Sequence, residues 1–278
     1  MSSANSSVNW IEAATGAYQA GRQIVFLFDY DGTLTPIVRH PSLAALPAHT
    51  RELLISFTRV PDVSVAVVSG RALEDVRNMV AIPGVYFAGC GGMELDLLGT
   101  SLTHPDALRF GEMFDAAHRQ LLEPLRRFPG AWVERKPTAL AVHYRELTPL
   151  ASVCLGIEVS EVLHRFAELR FRVVSAAVEV TPANGWDKGS AVEAVLGRVR
   201  TPGRSAPFPI YFGDAPNDEE GMSAALAAGG LAIGIGPDAP TAGEHKFPDP
   251  DALFKALTEL HVRLTRPPVE PTHTKTGP

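Results

Sequence analysis

Two aspartates two positions apart, Asp29 and Asp31, follow the apolar run Ile24–Phe28 and precede Gly32. An apolar run of this kind, rich in branched and aromatic side chains, predicts a buried parallel strand. Open α/β sheets bind ligands at the carboxyl ends of their strands, so we expect Asp29 and Asp31 to converge on one bound group. One carboxylate could act as nucleophile and the other as acid/base, with a divalent cation offsetting their repulsion. The alternative is a strand that ends in an ordinary Asp-Gly turn.

Two further polar positions favour phosphoryl transfer. Ser69 closes the apolar run Val63–Val68 and precedes Gly70, so its hydroxyl and the neighbouring amide could bind a phosphate oxygen. The alternative is a serine that caps a helix. Lys188 opens a helical segment, where its ammonium could offset the charge of a nucleophile and a phosphoryl group. The alternative for Lys188 is a lysine that faces solvent.

A second pair of carboxylates, Asp214 and Asp218, follows another apolar run at residues 209–212. Carboxylate oxygens are hard ligands that suit Mg²⁺. If the strands are parallel neighbours, these carboxylates and Asp29 lie at the same edge of one sheet. The sequence therefore predicts a magnesium-dependent site at that edge.

Strand-like runs alternate with helical segments over residues 8–104 and again beyond residue 184. The predicted strands cover residues 24–28, 63–68, 84–88, 209–212 and 230–235. The predicted helices cover residues 8–20, 48–58, 72–79, 188–198, 218–227 and 251–264. This alternation predicts an α/β fold, a Rossmann-like doubly wound parallel sheet.

The segment between these two parts follows a different order. Its predicted elements are a helix at 107–127, strands at 131–135 and 139–144, a helix at 152–169, and strands at 170–174 and 177–180. This order predicts an α+β domain, a small antiparallel sheet backed by two helices. We therefore expect a core domain in two parts, residues 1–104 and 184–266, with a domain inserted at 105–183 and a disordered tail at 267–278.

Composition excludes several classes of protein. Hydrophobic residues make up 45% of the 278 residues, yet no apolar run approaches the roughly 20 residues of a membrane helix. The net charge of −6 argues against nucleic-acid and anionic-membrane binding. Two cysteines, Cys90 and Cys154, are too few for a disulfide framework, and the polar start of the chain lacks a secretory signal. The sequence thus predicts a cytoplasmic protein.

Taken in order, the four groups of residues resemble the four motifs of haloacid dehalogenase (HAD) superfamily phosphatases: Asp-x-Asp-Gly-Thr, a strand-end Ser, an isolated Lys and Gly-Asp-x-x-Asn-Asp. The resemblance implies a HAD-fold core in which Asp29 attacks phosphorus to form an aspartyl-phosphate. Asp31 would protonate the leaving alcohol and then deprotonate water. The implied phosphate-binding residues are Thr33, Ser69, Gly70 and Lys188. The implied Mg²⁺ ligands are Asp29, Asp31 through its main-chain carbonyl, Asp214 and Asp218.

The inserted domain resembles a C2-type cap, and its motifs are similar to those of trehalose-6-phosphate phosphatases. These motifs are Val133-Glu134-Arg135-Lys136-Pro137, Ala141-Val142-His143-Tyr144-Arg145 and Val178-Glu179-Val180-Thr181-Pro182. The resemblance implies a phosphorylated sugar as substrate, trehalose 6-phosphate first, and a glycosyltransferase of the same pathway as a possible partner. The implied sugar-binding residues are Arg71, Glu134, Lys136, Arg145 and Glu179. The alternative is a charged, exposed sheet face, and for His143 and Tyr144 packing is favoured.

Some positions depart from this family pattern, and they leave the substrate open. Cys90-Gly91 stands in place of an acidic-His pair, Ala176 or Ala177 in place of a lysine, and Ala215 and Asn217 alter the fourth motif. We expect most of these changes in or beside the sugar pocket. One alternative is a related glycosyl phosphate, either glucosylglycerol or glucosylglycerate phosphate or an aminocyclitol pseudo-disaccharide phosphate. A non-catalytic sugar-phosphate-binding regulator is another, although such a protein has no need to retain both Asp29 and Asp31.

Overall fold

The computed structural model describes residues 10–174 and 177–266, and its strands form two separate sheets. The elements before residue 105 are α1 (Trp10–Gln19), β1 (Ile24–Phe28), α2 (Ala48–Thr58), β2 (Val63–Val68), α3 (Leu73–Val80), β3 (Val85–Gly89), β4 (Glu94–Asp96) and β5 (Ser101–Thr103). Those that follow are α4 (Asp106–Leu125), β6 (Trp132–Lys136), β7 (Ala139–His143), α5 (Pro149–Leu163), β8 (Leu169–Val174) and β9 (Ala177–Pro182). The last are α6 (Lys188–Val199), β10 (Phe208–Gly213), α7 (Glu219–Ala227), β11 (Leu231–Ile235), β12 (His245–Phe247) and α8 (Pro250–Thr265).

The larger sheet has the strand order β12-β11-β10-β1-β2-β3-β4-β5. Its strands are parallel from β12 through β3, and β4 and β5 extend it as an antiparallel edge. Strand β1 lies between β10 and β2, so the three strands that precede the predicted catalytic residues are direct neighbours. The α/β prediction of a doubly wound parallel sheet is confirmed.

Strand β1 is apolar throughout because both faces of the sheet are covered. Ile24, Phe26 and Phe28 pack with residues of α1, α2 and α8. Val25 and Leu27 point to the other face, where they pack with residues of α6 and α7. All of these side chains are fully buried. A strand without a wet face cannot show the alternation of a half-buried strand, which explains the continuous apolar run in the sequence.

The smaller sheet has the order β6-β7-β9-β8 and is antiparallel throughout. Alternate side chains such as Leu140, Val142, Val178 and Val180 form a buried cluster with residues of α4 and α5. The intervening side chains therefore face away from these helices. We refer to residues 106–182 as the cap. Its antiparallel sheet backed by two helices agrees with the predicted α+β domain. The exact domain boundaries stay a prediction.

Helix α5 differs from the prediction of 152–169. It begins at Pro149, where Thr148 is the N-cap and its Oγ1 accepts a hydrogen bond from the Ala151 amide at 3.4 Å. Proline suits the first turn of a helix because its missing N–H would have no partner there. The helix ends at Leu163, and Leu169 instead pairs with Pro182 in the sheet. The prediction was wrong for residues 164–168, which form the turn into β8.

Three short strands, β4, β5 and β12, were not predicted. Each has three residues and carries polar or charged side chains, so none has an apolar run to reveal it. The start of the predicted first helix at residues 8–9 and the predicted disordered tail lie outside the described residues. Among the helices of the described ranges, none is long and apolar enough to cross a membrane.

Glycine at position 89 is required by a close backbone approach, which gives a test of the packing beside Ser69. A Cβ on Gly89 would overlap the backbone of Leu73, the first residue of α3. We expect Gly89→Ala to lower the free energy of unfolding by about 1–3 kcal/mol, the usual range for overpacking. The measurement is thermal and urea unfolding.

Gly16→Ala is the matched control, because a Cβ at Gly16 in α1 would meet nothing within 4 Å. It should be neutral or stabilise the protein by up to about 1 kcal/mol, the difference between glycine and alanine in a helix. Equal stability of the two variants would show that the backbone around Leu73 can shift to accommodate a Cβ at position 89 without a measurable cost in free energy.

Candidate active site

The predicted catalytic residues meet at the carboxyl ends of β1, β2 and β10. Asp29 directly follows β1, Ser69 follows β2, and Asp214 follows β10. Lys188, the first residue of α6, reaches the same place from the loop that returns from the cap. The site is thus at the edge of the sheet where the sequence predicted it.

Lys188 lies between two carboxylates in the floor of the site. Its Nζ is 2.7 Å from Asp29 Oδ1 and 2.7 Å from Asp218 Oδ1. The lysine side chain is only 3% exposed and Asp218 is fully buried. Burial would lower the pKa of Lys188, but the charges of Asp218 and Asp29 raise it well above its ordinary value. The ammonium is therefore a fixed positive charge beside Asp29.

Asp218 is fully engaged by hydrogen bonds. Its Oδ1 accepts from Lys188 and from the hydroxyl of Tyr211 at 2.8 Å. Its Oδ2 accepts from the amides of Asp214 and Ala215, both at 3.1 Å. These bonds join the floor of the site to the loop after β10 and hold that loop in place.

Asp214 has the side chain best suited to bind a cation. Its Oδ1 is buried without a hydrogen-bond partner. One carboxylate oxygen from each of Asp29, Asp214 and Asp218 lies within 4.8 Å of the others. A buried, unpartnered carboxylate oxygen beside two further carboxylates fits the hard oxygen ligands that Mg²⁺ prefers.

The pKa values of this cluster reflect its burial and crowding. Burial, together with the charges of Asp218 and Asp31, raises the pKa of Asp29 to about 7 despite the opposing effect of Lys188. Burial and the charges of Asp29 and Asp218 raise the pKa of Asp214 to about 9. Without a cation the site therefore retains protons near neutral pH, and cation binding would displace them.

Three further predicted phosphate-binding residues surround the carboxylates. Thr33 and Ser69 are both buried, and Thr33 Oγ1 has no hydrogen-bond partner. Ser69 Oγ accepts from the Arg71 amide at 3.2 Å, which leaves its own hydroxyl proton available. The Gly70 carbonyl accepts from Lys136 Nζ at 2.8 Å, so this loop contacts the cap directly.

Arg71 forms a bidentate ion pair with Asp31. Its Nε and Nη2 donate to the two carboxylate oxygens of Asp31 at 2.6 and 2.7 Å, and Nη2 also donates to the Pro41 carbonyl at 2.9 Å. The guanidinium lies over the ring of Tyr30. Arg71 was predicted to bind substrate; in this structure it holds the side chain of Asp31.

A cavity of about 490 Å³ lies between the core and the cap. The predicted residues that line it are Asp29, Asp31, Ser69, Gly70, Arg71, Glu134, Lys136, Arg145, Glu179 and Asp214. Thr33, Lys188 and Asp218 are predicted site residues that do not line it and are buried. The tertiary structure therefore brings the cap residues to the same space as Asp29 and Asp31.

The cap residues are held by one another and by the core. Glu134 Oε2 accepts from His143 Nε2 at 2.8 Å and lies 3.9 Å from Lys136 Nζ. Burial would raise the pKa of Glu134, but the hydrogen bond from His143 and the charge of Lys136 lower it. Glu179 Oε2 accepts from the Asn217 side chain at 3.0 Å. The side chains of Glu134, Lys136 and Glu179 thus line the cavity from the cap side, together with Arg145.

Among the residues that line the cavity, His40, Trp132 and His143 were not predicted as functional. His143 was expected to pack, but it lines the cavity and donates to Glu134. The sequence held one signal for Trp132 and His143. Trp132 lies two residues before Glu134 on β6, and His143 lies two residues after Ala141 on β7. Such spacing places each pair on one face of its strand.

Cys90 lies beside the cavity and does not line it. Its side chain is buried in an apolar cluster with Met93, Ala107 and Ala139 rather than lining the cavity. Burial and the nearby charge of Glu94 raise its pKa to about 12, so the thiol stays protonated. Ala177 does line the cavity. Of the departures from the family pattern, Ala177, Ala215 and Asn217 line the cavity, and Cys90 does not.

Comparison with known proteins identifies relatives that match most of this chain. The family model described as trehalose-phosphatase matches residues 27–246. A probable trehalose-phosphate phosphatase 4 of Oryza sativa subsp. japonica is 32% identical over 255 residues, covering 88% of this chain and 67% of the rice protein. A probable trehalose-phosphate phosphatase D of Arabidopsis thaliana is 33% identical over 211 residues, covering 72% of this chain and 56% of the Arabidopsis protein.

The chain thus spans about two thirds or less of the length of these two plant proteins. Among solved structures, the C-terminal domain of C. albicans trehalose-6-phosphate phosphatase superimposes with a TM-score of 0.78 at 21% identity, covering 90% of this chain and 96% of that domain. At this level of identity the superposition establishes the shared fold of core and cap.

The raised pKa values of Asp29 and Asp214 predict how pH affects the metal-free protein. Their values of about 7 and about 9 exceed the ordinary 3.8, so between pH ~4 and ~9 the folded state binds more protons than the unfolded state. Stability must then fall as pH rises through that range. We expect the melting temperature in EDTA to fall towards pH 9 and Mg²⁺ to restore it.

Asp214→Asn removes one of the crowded carboxylates, so it should raise the melting temperature in EDTA at pH 8 and flatten the pH dependence. Asp238→Asn, on the exposed surface, is the control for loss of one negative charge. A lower melting temperature for Asp214→Asn than for Asp238→Asn under these conditions would show that the cluster is not repulsive.

Proposed function

The chain belongs to the trehalose-phosphatase family of phosphoric monoester hydrolases, and we propose that it hydrolyses trehalose 6-phosphate to trehalose and phosphate. One observation carries this proposal. Asp29 and Asp31 border a cavity of about 490 Å³ whose opposite wall is formed by Glu134, Lys136 and Glu179 of the cap. A cavity of this size is typical of small-molecule sites. It combines a phosphoryl-transfer centre with charged groups that can bind sugar hydroxyls.

Asp29 is the nucleophile in this proposal. Its carboxylate attacks phosphorus, the bond from phosphorus to the sugar oxygen breaks, and an aspartyl-phosphate forms. Asp31, once protonated and freed from one of its two hydrogen bonds from Arg71, donates its proton to the departing sugar oxygen and then takes a proton from the water that hydrolyses the intermediate. The side chain of Asp31 is 37% exposed, so water can reach it. Asp29 is regenerated as the phosphate leaves.

The phosphoryl group would be held by Lys188, Ser69 and Thr33. Lys188 contributes a buried positive charge 2.7 Å from the nucleophile, where charge develops in the transition state. Thr33 Oγ1, buried without a partner, and the hydroxyl of Ser69 are donors available for phosphoryl oxygens. The amide of Gly70 is a further donor in the loop after β2.

Mg²⁺ would be held by Asp29, the main-chain carbonyl of Asp31 and Asp214, whose unpartnered Oδ1 supports this role. Bound Mg²⁺ offsets the charge of the carboxylates and of the phosphate dianion. Asp218 already accepts four hydrogen bonds, so we assign it chiefly to positioning Lys188 and the loop of Asp214.

Sugar recognition is assigned to Glu134, Lys136, Arg145 and Glu179, all of which line the cavity from the cap. Charged groups form strong hydrogen bonds with hydroxyls, and a ligand that lacks those hydroxyls would leave the charges unpaired. The cap thereby selects a polyol over an apolar alcohol. Arg71 adds a positive charge at the boundary between the sugar and phosphate regions.

We further propose that the enzyme acts in the cytoplasm, beside the glycosyltransferase that forms its sugar phosphate. Two cysteines without a disulfide, one buried and one exposed, support a reducing compartment. The net charge of −6 supports a small-molecule substrate rather than a nucleic acid.

Phosphate release from a panel of sugar phosphates tests the activity. With Mg²⁺, we expect trehalose 6-phosphate to have the highest kcat/KM, above glucosylglycerol, glucosylglycerate and pseudo-disaccharide phosphates. Asp29→Asn should reduce release to background, and Asp31→Asn should lower it by about 10²–10⁴-fold, as for a lost general acid/base. Turnover by purified Asp29→Asn would rule out the nucleophile, whereas a different preferred sugar would revise only the substrate.

Substitution of cap residues tests sugar recognition separately from the chemistry. Lys136→Ala and Glu179→Ala should each lower kcat/KM for trehalose 6-phosphate by about 10- to 100-fold, since each removes a charged hydrogen bond. Hydrolysis of 4-nitrophenyl phosphate, which has no sugar, should fall far less. Glu123→Ala, in an exposed part of α4, is the charge-matched control for Glu179→Ala. Equal losses on both substrates would assign these residues to the core site or to folding.

A further inference from the structure

Trp132 of the cap stacks with two histidines from different parts of the molecule. The ring of His143, on the adjacent strand β7, is 4.2 Å away between centroids and nearly parallel at 20°. The ring of His40, from the core loop before α2, is 5.2 Å away between centroids and nearly parallel at 17°. All three residues line the cavity. The stack therefore connects core and cap at the wall of the site.

The core side of this stack is anchored to the catalytic residues. His40 Nδ1 accepts from the Ser42 amide at 3.3 Å, which fixes the imidazole on the short turn at residues 41–43. The carbonyl of Pro41, in the same turn, accepts from Arg71. Arg71 in turn holds both carboxylate oxygens of Asp31. The position of His40 is thus tied to the predicted acid/base.

The cap side of the stack is connected to a predicted sugar-binding group. His143 Nε2 donates to Glu134 Oε2 at 2.8 Å, and Trp132 covers one face of the same imidazole. Stacking restricts rotation of the His143 ring, because a turned ring would lose the parallel contact. A restricted ring keeps its N–H directed at Glu134.

We propose that Trp132 is a specificity-determining positioning residue that acts through His143 on Glu134, an inference that rests on the proposed function. The indole already stacks with two imidazoles, one from the cap and one from the core. Its contribution is to the orientation of Glu134. One of the two histidines that stack with Trp132, His40, belongs to the core. The stack therefore orients Glu134 when the cap is seated against the core as it is here.

A double-mutant cycle distinguishes positioning from a separate contribution to binding. Trp132→Ala, Glu134→Ala and the double variant are compared by kcat/KM for trehalose 6-phosphate. We expect Trp132→Ala to lower kcat/KM about 10-fold, and we expect the double variant to have the same kcat/KM as Glu134→Ala alone. Trp132→Phe, which can still stack, should recover activity to within about three-fold of the wild type. Additive losses in the double variant would overturn the proposal.

His40→Ala keeps the test decisive if Trp132→Ala folds poorly. His40 is exposed, so its truncation leaves the cores intact while removing one support of Trp132. It should lower kcat/KM for trehalose 6-phosphate, and that loss should vanish in the Glu134→Ala background. His164→Ala is the matched control, since it removes another exposed histidine that contacts an aromatic ring, Phe171 of the cap. The control should match the wild type.

The outcomes separate this inference from the proposed function. Suppose that Glu134→Ala lowers kcat/KM, and that the losses from His40→Ala and Trp132→Ala are the same with and without Glu134→Ala. The inference then fails and the sugar-binding role of Glu134 stands. If Glu134→Ala hydrolyses trehalose 6-phosphate as the wild type does, both the role of Glu134 and the inference are overturned.

Discussion

The buried ammonium of Lys188, held between Asp29 and Asp218, is the interaction on which the site depends. Three carboxylates converge at the ends of β1 and β10. Burial raises the pKa values of two of them, Asp29 and Asp214, and the charges of neighbouring carboxylates raise them further. Lys188 is 2.7 Å from Asp29 and from Asp218, and its charge opposes the rise at Asp29. A cluster of this kind fits a divalent cation, whose charge would offset that of the carboxylates.

The fold supplies this arrangement because α6 begins where the chain returns from the cap. Asp187 caps that helix, its side chain accepting from the amides of Gly189 and Ser190, and the cap bond places Lys188 in the first turn. Gly189 permits the start of α6 to lie against the backbone of Glu220 in α7. A larger residue there would move the helix, and with it the ammonium.

The cap is held against the core by contacts that also position its charged residues. Lys136 donates to the Gly70 carbonyl, Glu179 accepts from Asn217, and Arg172 pairs with Glu220. Each of the first two contacts joins a predicted sugar-binding residue to a loop of the catalytic centre. In the proposed function, sugar recognition and phosphoryl chemistry would share these supports, so the orientation of the cap would affect both. An enzyme built this way can couple correct substrate binding to a complete active site.

The parallel sheet, the antiparallel sheet of the cap and the polar residues at the strand ends could all be predicted from the sequence. These features follow from local rules: apolar runs form buried strands, and a strand that ends in carboxylates must place them at one edge of the sheet. The short strands β4, β5 and β12 and the limits of α5 did not follow, because three-residue strands have no pattern and a helix end depends on its cap.

Only the tertiary structure decided which side chains meet across the cavity. Arg71 pairs with Asp31 although they are 40 residues apart, and His143 contacts Glu134 because β6 and β7 are in a particular register. Cys90, beside Gly89 at the end of β3, is buried among apolar residues and not in the cavity. Periodicity tells which face of a strand a residue occupies. The partner on the facing surface is set by how sheet, loops and cap pack together, and that packing depends on residues far apart in the chain.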